Sequence, residues 1–167
     1  MKTIFSEKVV RILKNKKRLE KILNVKIFNQ GNTVFLEGKP EDEYVGEKVV
    51  EALNFGFPFS SAVKIKKEDL FFEILNIKDY TKRNNLESIR ARIIGKSGKT
   101  LKTLSDLTSC FFERNGNEVG IIGKAENLQL AQNAVISIIH GAKQNNIYKS
   151  LEHNRPSSIE DFGLKSE

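Results

Sequence analysis

Apolar positions recur along the chain at two spacings. In "ENLQLAQNAVISIIHG" they return every three or four residues, so Leu128, Ala131, Val135, Ile138 and Ile139 share one face of a predicted helix that Gly141 ends. "KTLKTLSDLTS" (Lys99–Ser109) sets Leu101, Leu104 and Leu107 on one helical face with Thr108 beside them, and "NLESIRARII" (Asn85–Ile94) predicts a shorter helix ending at Gly95. The other spacing is that of strands. "LFFEILNI" (Leu70–Ile77) is rich in aromatic and branched residues, and "CFFER" and "EVGII" flank Asn115-Gly116-Asn117, where glycine accepts the positive φ of a hairpin turn. From residue 70 onward the order is therefore strand, helix, glycine loop, helix, strand, strand, helix.

That plan occurs twice. "GNTVFLEGKPEDEYVGEKVVEALNFG" from Gly31 aligns without gaps on "GNEVGIIGKAENLQLAQNAVISIIHG" from Gly116. Gly31, Gly38 and Gly56 match Gly116, Gly123 and Gly141 at an offset of 85 residues (116 minus 31). Upstream, "RILKNKKRLEKILN" (Arg11–Asn24) matches "RIIGKSGKTLKTLS" (Arg92–Ser105) at an offset of 81, so the second copy carries four more residues before its hairpin. Repeats of this kind set the domain count. The expected organisation is α+β, with a unit at 1–60, a linker at 61–67 within the Pro- and Ser-containing "FPFSSAVKIKK", a second unit at 68–152, and a mobile polar tail at 153–167.

Composition narrows the partners. Of 167 residues, 28 are Lys or Arg and 21 are Asp or Glu, a formal charge of +7 that favours a polyanionic partner. The cations cluster in "KNKKR" (Lys14–Arg18), "KIKK" (Lys64–Lys67) and between Lys96 and Lys102, which ranks nucleic acid above an acidic protein or a membrane. No apolar run approaches the roughly 18 residues of a membrane span, and the N-terminus has no secretory pattern, so a cytoplasmic protein is expected. Chemistry of its own is not expected. Cys110 stands alone in an apolar run and reads as a buried thiol; His140 and His153 are the only histidines; Asp106, Glu113 and Glu118 are scattered. Neither a catalytic group, a metal site nor a cofactor is assigned.

The loop Gly95-Lys96-Ser97-Gly98-Lys99-Thr100 ends like a nucleotide-hydrolase phosphate loop, but residue 93, where the first glycine of that motif belongs, is Ile93, and a helix rather than a strand precedes it. What is left is Gly-x-x-Gly between two helices. Its glycines let the backbone approach a phosphodiester, the next helix offers unpaired N–H groups at Lys99–Leu101, and Arg92, Lys96, Lys99 and Lys102 add charge. With Ile-Ile before it, the leucine-faced helix and the hairpin after it, the second unit resembles a KH domain of type I order, β-α-α-β-β-α, whose GXXG loop clamps about four nucleotides of single-stranded RNA.

More closely, "ARIIGKSGKT", "LSDLTSC", "IIGKAENLQLAQNAV" and "IIHGAKQNNIYKSLE" resemble the two-KH ribosome-assembly factors of archaea and eukaryotes, the partner-of-Nob-one family, over about residues 9–152. Ala91 stands where that family usually has glycine. The resemblance implies binding of small-subunit pre-rRNA near its 3′ end, and contact with a PIN-domain endonuclease and other assembly factors. The RNA-binding residues carried over are Arg92, Gly95, Lys96, Ser97, Gly98, Lys99, Thr100 and Lys102, with Ile93, Ile94 and Ile121 as candidates for an apolar groove that meets bases. Phe111 and Phe112 face opposite ways on one strand, so at most one could serve there. The first unit lacks GXXG: on the offset of 81, Lys14-Asn15-Lys16-Lys17 stands in its place, and that unit is expected to be a structural or protein-contacting repeat with a basic surface, or to carry there only an ordinary solvated lysine face.

Overall fold

The computed structural model describes residues 1–154. In the first unit, β1 (Lys2–Phe5), α1 (Val9–Lys14), α2 (Lys16–Leu23), β2 (Lys26–Gln30), β3 (Thr33–Glu37) and α3 (Pro40–Phe55) follow in the expected order. The strands form an antiparallel sheet in the order β1-β3-β2. Alternation along β3 turns Val34 and Leu36 inward, where both are fully buried beneath Ile12, Leu19, Leu23, Val49 and Leu53 of the helices. α3 begins with Pro40 at its first turn, followed by Glu41, Asp42 and Glu43. The fixed φ of proline and the three carboxylates both suit a helix N-terminus.

The second unit repeats the order with β4 (Phe71–Asn76), α6 (Glu87–Ile94), α7 (Lys99–Thr108), β5 (Phe111–Asn115), β6 (Glu118–Gly123) and α8 (Ala125–Ile139). Its sheet runs β4-β6-β5, again antiparallel. All five apolar residues assigned to one face of α8 are buried, against Leu75, Ile77, Leu104, Val119 and Ile121. A further helix, α9 (Gln144–His153), follows α8 and packs Ile147 and Leu151 into the same core. The expected tail at 153–167 lies outside the described residues from 155 onward, and His153 itself ends α9.

Residues 61–67 are not a tether. The joining stretch folds into two single-turn helices, α4 (Phe59–Ala62) and α5 (Lys64–Lys67), with Phe57, Ala62, Val63 and Ile65 buried. Pro58 and the serines make this segment look like a loop in sequence, but its apolar residues have a surface to cover. Phe55 and Phe57 set their rings edge-on against Phe72, with centroids 6.0 and 5.7 Å away, on the sheet face of the second unit that its own helices leave bare. Gly120 is what admits them, since a Cβ there would lie 2.8 Å from both rings. Asn115 Nδ2 donates to the Phe55 carbonyl at 3.1 Å, and Lys64 Nζ sits 4.9 Å above the Phe111 ring. The second sheet is thus packed on both faces, with Ile74 left exposed on the side toward the first unit, and Phe72 and Ile122 belong to the core of the first unit.

Candidate nucleic-acid interface

The glycine loop is a tight, left-handed connection between α6 and α7. The Gly95 amide donates to the Ala91 carbonyl at 2.8 Å, and Gly98 returns to the Gly95 carbonyl at 3.2 Å. Gly95, Ser97 and Gly98 all have positive φ, at 76°, 55° and 75°. The two glycines are required for different reasons. A Cβ on Gly95 would overlap the Thr100 side chain, whereas one on Gly98 would meet nothing within 4 Å. Gly98 therefore leaves an open patch of backbone on the outer side of the turn. Lys96, Ser97, Lys99 and Lys102 are exposed around it. No side chain caps the N-terminus of α7, which leaves its positive dipole end facing the same patch. The Lys99 N–H, expected to be free, already donates to the Lys96 carbonyl.

Several expected site residues are placed elsewhere. Ile93 and Ile121 are fully buried, in the core behind the loop, so neither can line a groove for bases; an apolar residue beside a glycine loop reads the same in sequence whether it faces core or cleft. Arg92 is committed internally: its guanidinium donates to the Ile138 carbonyl at 2.7 Å and to the Ala142 carbonyl, satisfying the end of α8. Thr100 is 3% exposed and lies under Gly95, a buttress of the turn rather than a contact surface. Ile94 is half-buried. The core takes Phe112 and the inter-unit contact takes Phe111, as the alternation of a strand requires.

Two clefts flank α7. One, of about 240 Å³, lies between α7 and β5; Leu101, Lys102, Asp106 and Glu113 line it, and Pro58 and Ser61 of the joining segment bound one end. Burial pushes the Glu113 carboxyl up from its ordinary value, against the pull of Arg11 and Lys8 from the first unit. The other cleft, of about 480 Å³, lies between the loop and α9. Nothing in the sequence assigned α9 to the site. Ile147 and Leu151, four apart, hint at a helix, but the partner it packs on is a tertiary fact. Cys110 is buried, with its thiol pushed up by desolvation, so it is a packing residue as expected. Among the described residues no group of three or more His, Cys, Asp or Glu could hold a metal ion, and no helix is long and apolar enough to cross a membrane.

The first unit has no such loop. Asn15 alone, with φ −112°, joins α1 to α2. The buried residues locate the difference. Ile12 corresponds to Ile93 at an offset of 81, but Leu19 corresponds to Leu104 at 85, and so do the left-handed helix ends Asn24 and Ser109, both at φ 56°. The four additional residues of the second copy are therefore Gly95–Gly98 themselves. Lys14–Lys17 are not their counterparts, as the offset of 81 had suggested; Lys16 and Lys17 already belong to the helix that corresponds to α7.

Known proteins match both the sequence and this architecture. The family model described as eukaryotic-type KH-domain (KH-domain type I), for the second KH domain of PNO1 proteins, matches residues 71–156. KH domain-containing protein MJ0443 of Methanocaldococcus jannaschii is 31% identical over 147 residues, which cover 84% of this chain and 65% of that protein. Pre-rRNA-processing protein pno1 of Aspergillus fumigatus is 31% identical over 110 residues, 64% of this chain and 44% of its own length. The chain thus spans about two thirds of the archaeal relative and under half of the fungal one. Among solved structures, a chain of the a/eIF2alpha–aDim2p–rRNA complex from Pyrococcus horikoshii OT3 superposes with a TM-score of 0.84 at 23% identity, over 92% of this chain and 93% of that one.

Proposed function

The chain belongs to the eukaryotic-type (type I) KH-domain family, and on that premise we propose that its second unit binds single-stranded RNA, with small-subunit pre-rRNA near the 3′ end as its target. The observation that carries the reading is the loop: open space over the half-buried Gly98, an uncapped helix N-terminus behind it, and Lys96, Lys99 and Lys102 around it. Phosphates meet these groups and bind without sequence preference. Bases turn toward the α7–β5 groove, whose apolar lining is Leu101 with parts of Phe57, Phe111 and Phe112. Support for rRNA as the target comes from the relative named for pre-rRNA processing and from the fold neighbour solved with rRNA.

In this reading the protein has no turnover of its own and acts by placing a strand for a PIN-domain endonuclease. Holding the scissile region raises its effective concentration at another enzyme's site. The test is cleavage of a pre-rRNA mimic by the cognate endonuclease, with and without the protein, in Mg²⁺. The protein alone should cut neither RNA nor ATP, and its addition should change the position or rate of cleavage. A variant carrying Lys96→Asp and Ser97→Asp should lose that effect. RNA cleavage by the protein alone would overturn the reading, and an indifferent endonuclease would leave RNA binding without the positioning role.

A further inference from the structure

The two clefts beside α7 differ in charge. The α7–β5 groove sets Lys102 against Asp106 and Glu113. The cleft on the far side of the loop is walled by Arg92, Lys96, Lys99 and Tyr148, and no acidic residue lines it. A phosphodiester strand leaving the loop meets the exposed Lys96 and Lys99 in that direction and a mixed surface in the other. Lys96 and Lys99 border both the loop and the cleft, so a strand lying on the loop reaches it without crossing a gap.

The cleft is also built before any ligand arrives. Gln144 at the start of α9 donates from Nε2 to the Arg92 carbonyl at 3.2 Å and to the Thr100 hydroxyl at 3.1 Å. Arg92 answers with its guanidinium on the carbonyls of Ile138 and Ala142, in the turn that leads to α9. These reciprocal ties fasten α9 to the corner that carries the loop. Tyr148 is half-buried, with one part of its ring against the core and another lining the cleft, and Asn145 is exposed at its rim.

We propose that α9 forms a second nucleotide subsite: the single strand clamped at the loop continues into this cleft, with a phosphate near Lys96 and Lys99 and a base stacked on Tyr148, whose edge the Asn145 amide can read. Stacking on the part of an aromatic ring that faces a cleft is a sequence-tolerant way to hold one more base. The subsite rests on the reading of the loop as an RNA clamp and extends it.

Fluorescence anisotropy on single-stranded RNA of about four nucleotides, the length such a loop clamps, and of about eight separates the two. Lengthening the RNA should raise the affinity of the unaltered protein by roughly tenfold, the worth of one stacked base. Tyr148→Ala and Asn145→Asp should each lose most of that increment, and Tyr148→Phe, which retains the ring, should restore it. Asn145→Asp decides the matter alone if Tyr148→Ala fails to fold by circular dichroism, because Asn145 is exposed. No gain with length, or a full gain in both variants, overturns the α9 subsite. Undiminished four-nucleotide binding by the Lys96→Asp, Ser97→Asp variant would instead overturn the loop clamp.

Discussion

The two halves of this chain share an order of elements, a sheet topology and even the left-handed residue that ends the second helix, yet only one carries the glycine loop. What separates them at the corner between the first two helices is four residues. In the first unit the helices meet at Asn15; in the second, Gly95–Gly98 push the chain outward through three positive-φ residues. The loop can thus be present or absent without disturbing the core, because Ile12 and Leu19 fill the places of Ile93 and Leu104 whether or not it lies between them. The comparison also runs through the sheets. The outer face of the second sheet is covered by Phe55 and Phe57, whereas the first sheet leaves Phe28 and Phe35, stacked at 5.1 Å, on its open side. One unit binds, in the reading given above, and the other braces it.

That division predicts where the largest stability loss lies. Phe57→Ala removes a ring 1% exposed from the contact between units and leaves Gly120 facing a void. Large-to-small changes of this kind cost about 3–5 kcal/mol, to be read from urea denaturation. A loss below about 1 kcal/mol would mean that the second unit stands without its brace. Next in size is the loop itself. Lys96→Asp with Ser97→Asp sets two carboxylates against the phosphates at exposed positions and should weaken single-stranded RNA binding on the order of a hundredfold, since each charge-assisted contact is worth about 1.5–3 kcal/mol. The circular dichroism spectrum should stay native. Equal affinity in a filter-binding assay would erase the functional difference between the two units.

A finer pair of changes separates the roles of the two glycines. Gly98→Ala forces an L-residue to φ 75° in open space and should cost about 1–2 kcal/mol. Gly95→Ala adds a collision with the Thr100 side chain to a similar φ, so its loss should be clearly the larger of the two. Equal losses would mean that Thr100 moves aside and is no buttress.

Much of this architecture is legible in the sequence because local rules and tertiary packing agree there. The spacing of Leu128, Ala131, Val135 and Ile138 can only be a helix face, and Asn115-Gly116 between two apolar runs can only be a turn. The loop is legible because glycine pairs in that context have few uses. What escapes is decided between segments distant in the chain. Ile93 and Ile121 belong to the core because α8 lies over them. The lysines at 14–17 mimic a register that only the buried Leu19 corrects. Gln144 joins the site through two hydrogen bonds to residues 52 and 44 positions away, and no local pattern encodes that.

The smallest expected effect bears on whether the first unit touches RNA at all. Lys14 and Lys17 are exposed and Lys16 is half-buried, on helices that lack any loop to admit a backbone. Cations in that setting act as point charges: they contribute counterion release and nothing that depends on base identity. Replacing all three by Gln should therefore weaken binding only several-fold at low salt. The slope of log affinity against log salt should fall by up to about 0.7 for each phosphate contact removed, and the loss should be the same for RNAs of unrelated sequence. An unchanged slope would assign these lysines to solvent and confine the RNA to the second unit. A loss that varied with sequence would break the comparison altogether, because a unit without the loop would then be reading bases.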